Sequence, residues 1–147
     1  ATMRPFDEET SRKIEAHQNS RPQHWPLFEG TYDLANAVGE DGHYILDCVT
    51  LLVSNILLDL SSGDNPDPDT CALAGEKAIG ELSRLINKIR EGGAELVLVT
   101  NEVGGGIVPD NSLARAYRDL LGSVNCALAA MCDEVILSVC GIPLKIK

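Results

Sequence analysis

The sequence predicts an α/β domain whose mostly parallel sheet carries helices on both faces. Three observations lead there. Short apolar runs at Tyr44–Cys48, Leu96–Val99 and Glu134–Cys140 have the length and β-branched content of buried strands. Longer segments with apolar residues every third or fourth position separate them, at Thr70–Glu91 and Asn111–Met131. Strands alternating with helices imply parallel pairing through crossover connections. The chain of 147 residues suits a single domain spanning 1–147.

Each element has its own justification. Ala1–Thr2 is too short to stand alone and reads as the tail of a strand. Asp7-Glu8-Glu9 opens a helix, with Asp7 as N-cap and acids where the helix dipole favours them. That helix is expected to end near His17, before the polar turn Gln18–Pro22. His24–Glu29 reads as a short edge strand, since Pro26 cannot donate to a ladder. Leu34–Val38 reads as a short helix, and Tyr44–Cys48 as a buried strand ending in Asp47. Thr50–Leu60 is apolar almost all round and predicts a buried helix, with Gly63 just past its end. Ser61–Asp69 is a loop by its Gly, Pro and Asp content.

In the long helix Thr70–Glu91, Ala74, Ala78, Leu82, Leu85, Ile86 and Ile89 form the apolar stripe, and Gly92-Gly93 ends it. Leu96–Val99 predicts a fully buried strand. Leu113, Tyr117, Leu120, Leu121, Val124, Leu128 and Met131 mark the core face of the last helix. Glu134–Cys140 predicts another buried strand, and Leu144–Ile146 a short antiparallel strand at the sheet edge after the Gly141-Ile142-Pro143 turn.

Composition excludes several function classes. A net charge of −10 argues against a broad electrostatic grip on nucleic acid or an anionic membrane. No run reaches the roughly 18 apolar residues of a membrane span. With no signal-peptide pattern at the front, a cytoplasmic protein is expected. The five cysteines include no Cys-x-x-Cys pair and read as small buried hydrophobes.

The chemistry is expected at the carboxyl ends of the strands, where open α/β sheets bind ligands. Asp47 ends a buried strand, the position from which an acid can hold magnesium through water. Thr100-Asn101-Glu102 follows a strand and precedes Gly104-Gly105-Gly106, which lets a ligand approach backbone N–H groups. The same residues also suit a flexible turn. His17 closes a polar helix beside Gln18-Asn19-Ser20-Arg21. A histidine there can be a base, a ligand or a nucleophile, or simply a solvated side chain near a helix end. Arg21 could grip phosphates. His24 and His43 read as turn residues, and Trp25 as a packing residue. No Gly-x-x-x-x-Gly-Lys-Ser/Thr loop occurs in the sequence.

The runs DEETSRKIEAHQNSRPQHW, YILDCVTLLVSNIL, VTNEVGGGIVPDNSLARAYRDLLGSVN and DEVILSVCGIPLKIK, with Glu29 between the first two, closely resemble one family. It is the bifunctional adenosylcobinamide kinase/adenosylcobinamide-phosphate guanylyltransferase family of cobalamin biosynthesis. The resemblance covers nearly the whole chain in order. It implies a P-loop NTPase fold of the RecA-like type. It implies phosphorylation of adenosylcobinamide by ATP or GTP, then transfer of GMP from GTP to adenosylcobinamide phosphate through a guanylylated histidine. His17 matches that histidine. Nucleotide contacts carry over to Ala1, Thr2, Met3, Gln18, Asn19, Ser20, Arg21, Glu29 and Asp47, with Asp47 also the Mg2+ ligand. A homotrimer is implied as well.

The family pattern begins with a strand, a phosphate loop and a helix that lie outside this sequence. A sheet without its central strand is therefore expected, with unpaired backbone and apolar surface beside the gap. Two readings rival the bifunctional enzyme. One is a non-catalytic fragment that keeps the oligomer surface. The other is a generic ATPase of the recombination-protein type, which would not account for His17 or the Val99–Arg118 block.

Overall fold

The computed structural model describes residues 1–40 and 42–147. Helix α1 (Glu8–Ser20) starts where the sequence predicts. The Asp7 carboxylate accepts the Thr10 N–H at 2.7 Å, and Thr10 Oγ1 accepts the Asp7 N–H at 3.0 Å. These reciprocal bonds satisfy two donors that the first turn would otherwise leave open. The helix does not stop near His17 but continues through Ser20. The stop is set by Pro22, which forces Arg21 into extended backbone (φ −80°, ψ 150°), and the polar residues before it stay helical.

His24–Glu29 forms no strand; it is turn and irregular chain carrying Pro26, which lacks an N–H. The pairing falls just beyond it. The Ala1 nitrogen donates to the Phe28 carbonyl at 2.6 Å, and Gly30 N–H donates to the Ala1 carbonyl at 3.0 Å. Thr2 N–H then donates to the Asp47 carbonyl at 3.1 Å. Residues 1–2 thus lie between residues 28–30 and the end of strand β1 (His43–Asp47). A 3-10 turn at Leu34–Ala37 stands where a short helix is expected.

β1 pairs in parallel with β2 (Glu95–Val99), in a register that sets Asp47 opposite Val99. Helices α2 (Val49–Leu60), α3 (Pro68–Glu91) and α4 (Ser112–Met131) form the core with the inner face of these strands. The predicted α3 stripe is buried in full, from Ala74 to Ile89. α4 buries Leu120, Leu121, Val124 and Leu128, while Leu113, Tyr117 and Met131 pack at its margin. Leu52, Val53, Ile56 and Leu57 of α2 sit at the centre. At about 25 cal/mol per Å2, burying each such side chain contributes roughly 2 kcal/mol.

Four further expectations are corrected. The strands β1 and β2 are not fully buried. Tyr44, Leu46, Leu96 and Leu98 face the core, but Ile45 and Val97 remain 55% and 57% exposed on the other face. Among the described residues, the helices cover one face of this sheet rather than both. Apolar residues at consecutive positions predict burial on both faces, and here only alternate residues have a partner.

The expected strand Glu134–Cys140 is neither buried nor part of that sheet. β3 (Ile136–Val139) is exposed throughout and pairs with β4 (Ile142–Lys145) in a separate antiparallel hairpin. Cys140 (φ 51°) and Gly141 (φ 78°) supply the two positive φ angles that a tight right-twisted hairpin turn requires. Lys147 ties the hairpin to the end of α4, its Nζ donating to the carbonyls of Ala129 and Cys132 at 2.7 Å. The cysteines are not uniformly buried: Cys48 is, whereas Cys126 and Cys140 are exposed and Cys71 and Cys132 lie between. Among the described residues, no helix is long and apolar enough to cross a membrane.

Candidate active site

The site assembles at the carboxyl end of the β1–β2 sheet. α1 delivers its last turn to the end of β1, so that His17 Nε2 lies 3.1 Å from Asp47 Oδ2. Both side chains remain open to solvent, 47% and 37% exposed. One residue further along the helix, Gln18 Nε2 donates to Glu29 Oε1 at 2.9 Å. Consecutive helix residues diverge by about 100°, so neighbours at 17 and 18 serve two different partners. Ser20 Oγ donates to the His17 carbonyl at 2.9 Å, satisfying one of the carbonyls a helix end leaves open. Asn19 is exposed on the same turn.

A groove of about 430 Å3 runs between α1 and residues 29–32. Thr2, Met3, Gln18, Glu29, Gly30 and Tyr32 are among its walls. A larger hollow of about 510 Å3 lies at the start of α1, lined by Pro5, Phe6 and Asp7, and contains no predicted site residue. The smaller groove is the one lined by predicted site residues, Thr2, Met3, Gln18 and Glu29.

Beneath it lies a polar network that local patterns in the sequence do not reveal. Thr2 Oγ1 donates to the Cys48 carbonyl at 2.7 Å and accepts the Cys48 N–H at 3.0 Å. Buried Asn55 donates to the Thr2 carbonyl at 2.7 Å and to Thr31 Oγ1 at 3.1 Å. Arg4 donates to Thr31 Oγ1 at 3.0 Å and forks onto both oxygens of Asp59 at 2.6 and 2.8 Å. Tyr32 Oη donates to the same carboxylate at 2.9 Å. The Arg4 guanidinium holds the Asp59 carboxyl below its ordinary range, while burial pushes the Tyr32 phenol up. The one available signal was Asn55, an amide in the mostly apolar run VSNILL.

Thr100-Asn101-Glu102 emerges from β2 next to Asp47 and is held by side chains of α2 and α4. Glu102 folds back onto the Gly104 N–H at 2.6 Å, and Arg118 donates to the Gly104 carbonyl. Tyr117, pushed up to about 12 by burial, donates its hydroxyl to the Thr50 carbonyl at 3.2 Å.

Among the described residues, no three His, Cys, Asp or Glu side chains cluster to hold a metal. Asp47 offers one part-exposed carboxylate. This donor set suits a magnesium ion that brings its own phosphate oxygens and water, not a resident metal in a protein cage.

Residues 1–146 match the family described as cobinamide kinase / cobinamide phosphate guanyltransferase. The chain belongs to this family. A bifunctional adenosylcobalamin biosynthesis protein, CobU, of Escherichia coli K12 is 43% identical over 153 aligned residues, covering 100% of this chain and 83% of that protein. CobU of Salmonella typhimurium LT2 is 42% identical, again over 100% and 83%. The CobP protein of Pseudomonas aeruginosa PAO1, described in the same words, is 34% identical over 100% and 80%. Membership makes the chain an enzyme of the cobinamide kinase / guanyltransferase type.

Proposed function

We propose that this chain phosphorylates adenosylcobinamide with a nucleoside triphosphate and then transfers GMP from GTP to adenosylcobinamide phosphate. His17 carries the GMP between the two substrates. The fold is read as a P-loop NTPase of the RecA-like type, working in the cytoplasm. The observation that carries the guanylyl-transfer reading is the half-exposed His17 ring beside Asp47, next to a groove walled by Gln18 and Glu29.

In the first displacement, an imidazole nitrogen of His17 attacks the α-phosphorus of GTP. The N–P bond forms as the bond to the bridging oxygen breaks, pyrophosphate leaves, and the ring proton passes to solvent. In the second, a phosphate oxygen of adenosylcobinamide phosphate attacks the same phosphorus. The N–P bond breaks, adenosylcobinamide-GDP forms, and the imidazole is regenerated. Magnesium entering with the phosphates would be held by Asp47 and would neutralise their charge. Arg21 steadies the phosphates, while Glu29 and Gln18 face the rest of the nucleotide. Ala1, Thr2 and Met3 form the floor beside it, and Asn19 and Ser20 complete the helix end. A homotrimer is part of the same reading, and the exposed apolar hairpin (Leu137, Val139, Ile142, Leu144) supports an assembled state.

Incubation with GTP labelled at the α-phosphate, with magnesium, tests the reading. Label is expected on the wild-type protein and absent from His17→Ala. Equal labelling of the two would remove His17 from the mechanism.

A further inference from the structure

Of the polar residues that follow β2, one side chain keeps its donors free, and the surrounding bonds fix where they point. Thr50 Oγ1 accepts the Asn101 N–H at 3.0 Å. Its own proton goes to Asn101 Oδ1 at 2.9 Å. The oxygen of the Asn101 amide is therefore turned toward α2, and its NH2 group is turned away. On the far side, Asn125 uses both ends of its amide. Its Oδ1 accepts the Thr100 hydroxyl at 2.8 Å, and its Nδ2 donates to the Asn101 carbonyl at 3.1 Å. Two bonds of opposite polarity fix that amide in one orientation. Thr50 is anchored in turn by the Tyr117 hydroxyl on its carbonyl.

The neighbours are already engaged. The Thr100 hydroxyl is spent on Asn125 and Glu102 Oε1 on the Gly104 N–H, while one nitrogen of the Arg118 guanidinium reaches the Gly104 carbonyl. Asn101 is exposed, and its Nδ2 donates to no protein group among the described residues.

Register says where this amide lies. Val99 is opposite Asp47, and Asn101 is two residues further along. With strands about 4.8 Å apart and a rise of about 3.3 Å per residue, Asn101 sits within roughly 10 Å of Asp47. A nucleotide whose α-phosphate meets His17 would extend its phosphate chain along this same edge. A neutral, pre-oriented NH2 group can donate to phosphate oxygens there without the mobility of a long cationic side chain.

Resting on the proposed GTP chemistry, we infer that Asn101 donates its side-chain amide to the β- or γ-phosphate of the bound triphosphate. Thr50 and Asn125 are positioning residues that hold it for this contact.

The test compares wild type with Asn101→Asp, Thr50→Val and Thr50→Ser, reading affinity for GTP and for GMP by calorimetry alongside melting temperature. Asn101→Asp keeps the shape and the acceptor for Thr50 but replaces the donor with an oxyanion. It is expected to weaken GTP about 10- to 100-fold and to leave GMP within about twofold, because GMP has no terminal phosphates. Thr50→Val is expected to shift in the same direction, and Thr50→Ser, which keeps the hydroxyl, to restore GTP binding. Should Asn101→Asp fail to fold, the Val and Ser pair decides. Unchanged GTP affinity in the variants, or equal losses for GTP and GMP, overturns the inference while leaving His17 labelling intact. Wild-type protein that neither binds GTP nor takes up its label overturns the parent reading and this one together.

Discussion

His17 on α1 and Asp47 at the end of β1 meet with Nε2 and Oδ2 3.1 Å apart, both still reachable from solvent. A buried pair so placed would serve the fold. An open one at the carboxyl edge of a parallel sheet is available to a ligand. The carboxylate can orient the imidazole and stabilise positive charge on it as a phosphorus–nitrogen bond forms. It can also meet a magnesium ion arriving with the phosphates.

Replacing Asp47 with Asn keeps the shape and removes the charge. The rate of label transfer from α-labelled GTP to His17 should then fall by about 100-fold, in the range of lost acid–base or electrostatic assistance. The melting temperature should hold within a few degrees, since the pair is solvent-exposed. A variant that labels at the wild-type rate would show that Asp47 plays no part in the transfer.

Glu29 accepts a hydrogen bond from Gln18 and keeps its other oxygen for the groove. A guanine base carries adjacent N–H donors that a carboxylate can accept and an adenine base does not match. Glu29→Gln should weaken GTP binding about tenfold or more and reduce discrimination against ATP. Titrating both nucleotides against both proteins checks this. A loss shared equally by GTP and ATP would assign Glu29 to shaping the groove rather than choosing the base.

How much of this was legible beforehand depends on the range of the interactions. Ala74, Ala78, Leu82, Leu85, Ile86 and Ile89 share one helix face by spacing alone, and all are buried. Asp7 was readable as a cap because capping is local. Apolar runs misled where burial depends on a partner: Ile136–Val139 looks like an interior strand and lies exposed in a hairpin. The end of α1 was misplaced because Pro22, rather than the polar run before it, terminates the helix. At the site, His17 and Asp47 were singled out by their places at a helix end and a strand end, and Gln18 and Glu29 were named as nucleotide contacts from family resemblance, but their pairing across the sheet edge was not. The network beneath them has no local period at all. Arg4 reaches Asp59 across 55 positions and Asn55 reaches Thr2 across 53.

That network supports a stability prediction. Asn55 is 1% exposed and donates to both the Thr2 carbonyl and Thr31 Oγ1. Asn55→Ala leaves the Thr2 carbonyl buried without its partner and opens a small cavity. The expected loss is about 2–3 kcal/mol in urea unfolding. Because Thr2 forms part of the groove wall, GTP affinity should fall as well. Unfolding at the wild-type midpoint would mean that water replaces the amide without cost.

The Arg4–Asp59–Tyr32 cluster gives stability a pH dependence on both sides. Hydrogen bonding to Arg4 lowers the folded pKa of Asp59, so its contribution is present above the unfolded carboxyl value and is lost as pH falls through the folded one. Stability should therefore decline below about pH 4. On the alkaline side the sign reverses. Burial raises Tyr32, and raises Tyr117 to about 12, so their ionised forms are disfavoured in the folded state. Stability should decline again as pH rises above about 10, where the unfolded phenols ionise first. Asp59→Asn should flatten part of the acid limb, and Tyr117→Phe part of the alkaline one, with little change between. Melting curves from pH 3 to 11 read both limbs. An acid limb of unchanged slope in Asp59→Asn would mean that the Arg4 pair does not set it.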